Sequence, residues 1–304
     1  INGQLYPQDL QTLTFLKKLI IHSILLIGIL ALASVAEAKH IIGGEIIYEC
    51  ISPGNYEFTM KVYRDCAGSG ASFDDPAVNT IYRETAAGFT QLGVPLRINL
   101  AGIPFGIPAE EMPCMDIPAN ICVEEGIYRW NQSLPIINSS YYIVYQRCCR
   151  NNTITNIIDA RSTGATYFVE LTESAQTLCN NSPVFDDFPP ILICANQSID
   201  FDHGATDPDG DELVYSCCSP IKGGGLAGSP DLPGDPSACN GVAPDPGCPP
   251  PYDNVDFALP DFSALRPMAG NPIVSINSST GYISGVPEYI GQYVVGVCVQ
   301  EFRN

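Results

Sequence analysis

The chain has 304 residues, with 33 Asp and Glu against 14 Lys and Arg and a formal net charge of −19. Phosphate backbones and anionic lipid surfaces repel so acidic a chain, so neither nucleic acid nor a membrane surface is an expected partner. A bound cation is the better electrostatic match.

The first predicted element is a signal peptide at 17–38, which follows the upstream residues of the segment 1–38. Lys17 and Lys18 precede a largely apolar run at 19–32, and Ala36-Glu37-Ala38 offers a small-x-small cleavage site. The apolar run is shorter than the roughly 20 residues that cross a bilayer, so we expect a cleaved signal helix rather than a membrane span. This pattern predicts an extracellular mature protein.

Beyond residue 39, apolar and polar residues alternate with a period of two, and turn residues separate the alternating runs. This pattern predicts an all-β protein built from sandwich-like sheets. The clearest run places one residue in two on a buried face: Tyr56, Phe58, Met60 and Val62. Further strands are expected at 141–146, 166–172 and 293–299.

A polar turn at 180–183, followed by a proline-containing extended segment, divides the mature chain into two predicted modules, 39–181 and 182–304. The second module contains a Gly- and Pro-rich insertion at 219–252. Loops of this length are usually functional or disordered. The sequence is compatible both with an ordered protrusion and with a disordered loop. The last residues stop inside a strand-like pattern, so we expect further domains of the same chain after Asn304.

All 13 cysteines follow the predicted cleavage site, and an exported chain meets an oxidising environment in which thiols pair. Short loops favour Cys114–Cys122 and Cys239–Cys248 as local disulfides. The adjacent cysteines at 148–149 and 217–218 are expected to bond in two directions, because neighbouring cysteines rarely bond each other without strain. The odd cysteine is expected to pair outside this segment. Zinc is not expected, since the mature chain has only two histidines, far apart in sequence.

The stretch 200–212 is unusually acidic. Pro208 and Gly210 favour a tight turn, which would bring carboxylates together and supply the hard oxygen ligands that Ca²⁺ prefers. A solvated acidic hairpin without an ion is the open alternative. The expected calcium ligands are Asp200, Asp202, Asp207, Asp209 and Asp211.

Three stretches of the second module share a pattern with a known class of domain. They are ATDPDGDELVYS at 205–216, STGYISGVP at 279–287 and GQYVV at 291–295. They resemble the cadherin-like, putative Ig modules of bacterial surface proteins. The resemblance implies a β-sandwich whose acidic turn binds calcium near a domain junction, and it makes the whole chain two tandem Ig-like or cadherin-like sandwiches.

The first module carries a second resemblance, in HIIGGEIIYEC at 40–50, VYRDC at 62–66, YQRCCRN at 145–151 and TGATYFVEL at 163–171. These motifs resemble the N-terminal region of very large cell-surface proteins of gliding Bacteroidota. The resemblance implies export by the type IX secretion pathway and a gliding-motility-associated sorting domain further along the chain.

No catalytic constellation emerges from the sequence. IIGG at 41–44 resembles the N-terminus of an activated trypsin-like protease, but the nucleophile loop and the catalytic histidine setting of that class are missing. Trp130 and Tyr128 form a candidate platform for sugar rings, although aromatic residues at strand spacing more often pack in a core. We therefore expect a non-enzymatic structural and adhesive module that engages cell-surface glycans or neighbouring proteins. The alternative is a carbohydrate- or substrate-binding accessory module of a secreted hydrolase.

Overall fold

Almost all the regular structure among the described residues is β-strand, as the alternation predicts. The computed structural model describes residues 41–67, 72–111, 114, 116–118, 121–148, 150–151, 153–160, 163–223 and 243–303. The predicted signal peptide, Cys149 and Cys239 lie outside these residues. The elements in chain order are β1 (Ile41–Ser52), β2 (Asn55–Asp65), β3 (Ala77–Thr85), β4 (Gly88–Gln91), β5 (Leu96–Ile98), β6 (Phe105–Ile107), β7 (Val123–Ser133), β8 (Tyr141–Arg147), β9 (Ala165–Leu171), α1 (Glu173–Leu178), β10 (Val184–Phe185), β11 (Ile199–Asp202), β12 (Ala205–Thr206), β13 (Glu212–Cys218), β14 (Ser275–Ile276), β15 (Tyr282–Gly285) and β16 (Gly296–Phe302).

The first half of the chain folds into two antiparallel sheets that share one core. One sheet has the strand order β1-β2-β7-β6, and the other has the order β4-β3-β8-β9 with β5 also paired to β3. The β2–β7 ladder runs from Asn55↔Ser133 to Asp65↔Val123 without a register shift. The shared core draws side chains from both sheets, among them Tyr48, Phe58, Tyr128, Ile81, Ile143 and Leu171. The prediction of an all-β, sandwich-like fold is therefore confirmed.

Strand β2 shows how the alternating pattern builds this core. Tyr56, Phe58, Met60 and Val62 are each at most 1% exposed, while the residues between them are half-buried. Burying a large apolar side chain contributes about 1.5–3 kcal/mol, so this face of one strand is a major source of stability. The predicted inward face of this strand is confirmed.

Strand β8 differs from β2 because it is buried on both faces. Tyr141, Ile143 and Tyr145 point into the shared core. Val144 and Gln146 alternate with them on the opposite face, yet they are only 1% and 4% exposed. The outer face of this sheet is therefore covered by another part of the chain.

The second half of the chain forms three small antiparallel sheets. They pair β10 with β12, β11 with β15 and β14, and β13 with β16. The β13–β16 ladder runs from Glu212↔Phe302 to Cys218↔Gly296. This last strand begins three residues later than the alternation from Tyr293 predicts, because the backbone N–H of Val294 donates to Asn156 Oδ1 (3.0 Å) instead of joining a ladder.

Helix α1 directs the chain from the first half to the second. Its N-cap is Thr172, whose Oγ1 accepts a hydrogen bond from the backbone N–H of Ala175 (3.1 Å). The helix ends at Cys179, which has left-handed backbone angles and a disulfide to Cys50 of β1. This disulfide brings the following residues, 180–182, alongside the edge of β1.

The two halves contact each other although no sheet among the described residues contains strands from both. The segment 153–160, between β8 and β9, packs into the second half through the bridges Ile154↔Gln292 and Ile157↔Phe257. A second, smaller core also combines residues of both halves: Ile157, Ala160, Val255 and Val294. Ala38–Asn304 accordingly group as one compact unit, and the predicted boundary after residue 181 separates the sheets within it.

Four disulfides are defined by both partners: Cys50–Cys179, Cys66–Cys122, Cys114–Cys194 and Cys218–Cys298. Cys148 and Cys248 are also disulfide-bonded, and Cys217 is a free thiol whose pKa is raised by burial. Disulfides on this scale indicate an oxidising, extracellular-type environment.

The prediction of a local Cys114–Cys122 disulfide is wrong. Cys66 directly follows β2 and Cys122 directly precedes β7, and the neighbouring pair Asp65↔Val123 closes the ladder of these strands. Register therefore brings Cys66 beside Cys122, with a backbone hydrogen bond of 2.9 Å between them. Cys114 instead bonds Cys194 in the second half. The predicted partner of Cys248, Cys239, lies outside the described residues.

Candidate cation site at the junction of the two halves

The acidic turn between β12 and β13 is built by the carboxylate of Asp207. Asp207 Oδ1 accepts hydrogen bonds from the backbone N–H groups of Asp209 (2.8 Å) and Asp211 (3.0 Å). Gly210 closes the turn with a φ of +79°, a conformation that glycine adopts without a steric penalty. The turn that Pro208 and Gly210 predict is therefore present, and its own backbone uses one oxygen of Asp207.

Three carboxylates converge beside this turn. One oxygen each of Asp207, Asp211 and Glu301 lies within 4.8 Å of the others. Glu301 belongs to β16, and the register Leu213↔Glu301 brings it next to the start of β13. We call Asp207, Asp211 and Glu301 the acidic cluster.

Sequence reasoning missed Glu301, although a signal for it exists. The apolar alternation of Val297 and Val299 continues to position 301, so Glu301 is on the half-buried face of β16. A carboxylate that replaces an apolar residue in such a series is unusual, because a buried charge needs a partner. Only the pairing of β16 with β13 shows what it faces.

Arg303 neutralises part of the acidic cluster. Its Nε donates to Asp211 Oδ1 (2.7 Å) and its Nη2 donates to Asp211 Oδ2 (2.6 Å), which is the two-point geometry of a strong ion pair. The Asp211 side chain is only 6% exposed whereas the Arg303 side chain is 33% exposed, so the carboxylate is shielded from water and the guanidinium is partly solvated. Arg303 Nη2 also lies 3.5 Å from Asp209 Oδ2.

The remaining charge in the cluster is not balanced. Burial raises the pKa of Glu301 to about 7; a hydrogen bond from Asn180 opposes the rise, and Asp207 and Asp211 add to it. Asp207 Oδ2 is buried and has no hydrogen-bond partner among the described residues. A hard divalent cation would balance these charges and bind the free oxygen of Asp207, because carboxylate oxygens are its preferred ligands.

The other three predicted calcium ligands lie outside the acidic cluster. Asp200 is exposed on β11. Asp202 Oδ1 accepts a hydrogen bond from the backbone N–H of Gly204 (3.1 Å). Asp209 Oδ2 accepts from the backbone N–H of Asn181 (2.7 Å). The fold therefore brings together two of the five predicted ligands and adds Glu301.

The acidic turn is also attached to the edge of the first sandwich. Asn181, which donates to Asp209, accepts a hydrogen bond through Oδ1 from the backbone N–H of Cys50 (2.8 Å). The next residue, Ser182, accepts through Oγ from the backbone N–H of Tyr48 (2.9 Å). Residues 180–182 thus cap the free edge of β1 and connect it to the turn. A change in the conformation of the turn at the acidic cluster would therefore affect the packing of both halves.

The predicted aromatic platform is not exposed as one surface. Tyr128 is fully buried, and its hydroxyl donates to the backbone carbonyl of Asp74 (2.7 Å). The ring of Trp130 stacks on buried Phe58 with their centroids 5.4 Å apart. The Tyr128 ring is therefore not available to a sugar, and the Trp130 ring is already paired with a core side chain.

Comparisons with protein families, with curated proteins and with solved structures found no match to this chain. Among the described residues, no helix has the length and apolar character needed to cross a membrane.

Proposed function

We propose that this chain is a non-catalytic extracellular structural and adhesive module of a large bacterial surface protein. The observation that carries the proposal is the disulfide bracing of a β-sandwich. Cys50–Cys179 closes a separation of 129 residues, and Cys114–Cys194 links the two halves across 80 residues. A module built to keep its shape outside the cell gains most from links of this kind.

The physical reason is that a disulfide restricts the unfolded chain, and the effect grows with the length of the closed loop. For loops of this size the chain-entropy model gives roughly 4–5 kcal/mol per disulfide. A link between the halves also limits how far they can separate under load. Type IX export and adhesion to glycans or neighbouring proteins are parts of the same proposal.

The proposal includes a calcium ion at the acidic cluster. It is supported by three converging carboxylates, the free buried oxygen of Asp207 and the raised pKa of Glu301. Because residues 180–182 connect this turn to β1, an ion there would stiffen the junction of the halves. The alternative of an accessory module for a hydrolase is less well supported, since burial of Tyr128 removes half of its predicted sugar platform.

The test is adhesion under flow. Beads coated with residues 39–303 are passed over bacterial cells and over glycan-coated surfaces, and retention is measured at rising shear. We expect retention by the native chain and loss at lower shear after Cys114 and Cys194 are both replaced by Ser. Cys217→Ser is the matched control, because it removes a thiol without breaking a disulfide.

Two outcomes would overturn the proposal. One is a native chain that adheres to none of these surfaces. The other is turnover of glycoside or peptide substrates by the purified chain, which would make it an enzyme.

A further inference from the structure

The Gly- and Pro-rich insertion at 219–252 contains a segment that packs on the first sandwich. Residues 243–252, which we call the docked segment, lie against the face of β3, β8 and β9 that points away from the shared core. This outer face includes Thr80, Tyr82, Tyr142, Val144, Gln146, Thr166 and Phe168. Thr80, Tyr82, Gln146 and Thr166 are all at most 6% exposed, although three of them carry hydroxyls at positions that open sheets usually leave in water.

The outer face matches the backbone of the docked segment group by group. Thr80 Oγ1 accepts from the backbone N–H of Gly247 (3.0 Å), and Tyr82 Oη donates to the carbonyl of the same residue. Gln146 Oε1 accepts from the N–H of Cys248 (2.6 Å). Two acceptors and one donor on the sheet thus bind two donors and one acceptor on the peptide, which satisfies buried polar groups on both sides.

The amide of Gln146 is held in place for this contact. Its Nε2 donates to Thr166 Oγ1 (2.8 Å), and that hydroxyl donates to the carbonyl of Lys222 at the start of the insertion (2.5 Å). The side chains of Gln146 and Thr166 are therefore each held in one orientation by a hydrogen bond that does not involve Gly247 or Cys248. The polar groups of the outer face are thus preorganised for the backbone of the docked segment.

Side chains of the docked segment add selectivity. A Cβ on Gly247 would lie 3.1 Å from Gln146 Oε1, so the position favours glycine. Asp245 is ion-paired with Arg97 of β5. The ring of Tyr252 packs on Phe168 with their centroids 5.5 Å apart. The surface therefore favours a segment with an acidic residue, a glycine and an aromatic residue at these three positions.

We propose that the outer face of β3, β8 and β9 is a peptide-binding surface for acidic, proline-containing segments with a central glycine, and that the docked segment is its built-in ligand. The partner it fits is such a segment on another polypeptide. In the intact chain the docked segment excludes that partner, because the chain on either side and the disulfide of Cys248 give it a high effective concentration at the face.

The test replaces residues 243–252 with a Gly-Ser linker of equal length in the full chain. Binding of a fluorescent peptide with the sequence 243–252, carrying Cys248→Ser, is measured by polarisation. We expect binding to the replaced chain and at least about 100-fold weaker binding to the intact chain. A peptide that also carries Gly247→Val should lose binding at least about tenfold, because its side chain would clash with Gln146.

A second measurement in the intact chain covers the case in which the replaced chain fails to fold. Hydrogen exchange of the Gly247 and Cys248 amides is compared between the native chain, Tyr82→Phe and the control Tyr289→Phe, which removes an exposed hydroxyl elsewhere. We expect faster exchange in Tyr82→Phe alone. A folded replaced chain that does not bind the peptide, equal binding of the Gly247→Val peptide, or unchanged exchange in Tyr82→Phe would each overturn the proposal.

Discussion

The guanidinium of Arg147 forms a buried ion pair with the carboxylate of Asp74 inside the first sandwich. Their side chains are 6% and 17% exposed, and Tyr145 Oη donates a further hydrogen bond to Asp74 Oδ2 (2.8 Å). Burial lowers the pKa of Arg147, which shows the cost of placing this charge away from water. The loop before β3 is thereby fixed to the C-terminal end of β8.

Removal of Asp74 should leave Arg147 as an uncompensated buried charge. We expect Asp74→Ala to lower the free energy of unfolding by about 3–5 kcal/mol, measured by urea denaturation. Asp256→Ala is the matched control. It breaks the exposed ion pair with Lys222 (2.8 Å) and should cost no more than about 1 kcal/mol. Equal losses in the two variants would contradict the prediction.

Calcium should raise the melting temperature of the native chain. At an ion concentration of 100 times Kd the expected stabilisation is about 2.7 kcal/mol. Asp207→Asn keeps an acceptor for the turn but lowers the charge of the acidic cluster, so it should abolish most of the rise. Asp200→Asn, on exposed β11, should leave the rise unchanged.

Asp209 is an expected calcium ligand that the structure places outside the acidic cluster, so its replacement should act differently from that of Asp207. Asp209 binds Asn181 rather than joining the acidic cluster, so Asp209→Ala should lower stability with and without calcium. Differential scanning fluorimetry in calcium and in chelator separates these effects. No shift of the native chain with calcium would end the calcium proposal.

Acidification should destabilise the second half through His203. The imidazole is 8% exposed, stacks on Phe185 with their centroids 4.5 Å apart, and has an Nδ1 without a hydrogen-bond partner among the described residues. Burial lowers the pKa of His203 below 6.5, although Glu45, Asp187 and Asp202 oppose this change. The unfolded chain therefore binds a proton at a higher pH than the folded chain does.

It follows that the contribution of His203 to the free energy of unfolding should fall as the pH drops below about 6.5 towards the folded pKa of His203. Glu301, whose pKa is raised to about 7, contributes in the opposite direction over the same range, so the effect of His203 is the difference between the native chain and a His203 variant. Urea denaturation at a series of pH values between 7.5 and 5.5, in chelator, measures the slope. His203→Phe cannot take up the proton and keeps a ring between Phe185 and Phe201, so its slope should be smaller. An identical slope in both chains would contradict this role of His203.

Peptide mapping without reduction should recover the cross-linked fragments that the disulfides of the structure define. We expect fragments that join Cys66 to Cys122 and Cys114 to Cys194, because these pairs have Cα separations of 5.0 and 5.8 Å. A fragment that joins Cys114 to Cys122 would contradict the structure. Alkylation before digestion should label Cys217, and unfolding should increase the labelling since the thiol is partly buried.

Several features of the fold could be predicted because they depend on residues close together in the chain. The alternation of Tyr56, Phe58, Met60 and Val62 defines a buried strand face within eight residues. Pro208 and Gly210 define the acidic turn in the same local way. The abundance of cysteines after the cleavage site likewise predicts disulfides, although not which cysteines pair.

Contacts between distant parts of the chain were decided only by the tertiary structure. Cys122 pairs with Cys66 rather than with nearby Cys114, because β2 and β7 are neighbours in register. Glu301 joins Asp207 and Asp211 through the β13–β16 ladder, and Gly247 reaches Tyr82 across 165 residues. Side-chain periodicity is a property of a few consecutive residues and is therefore visible in sequence. The register between strands depends on packing of the whole core, so the acidic cluster, the disulfide pairing and the docked segment follow from the folded chain alone.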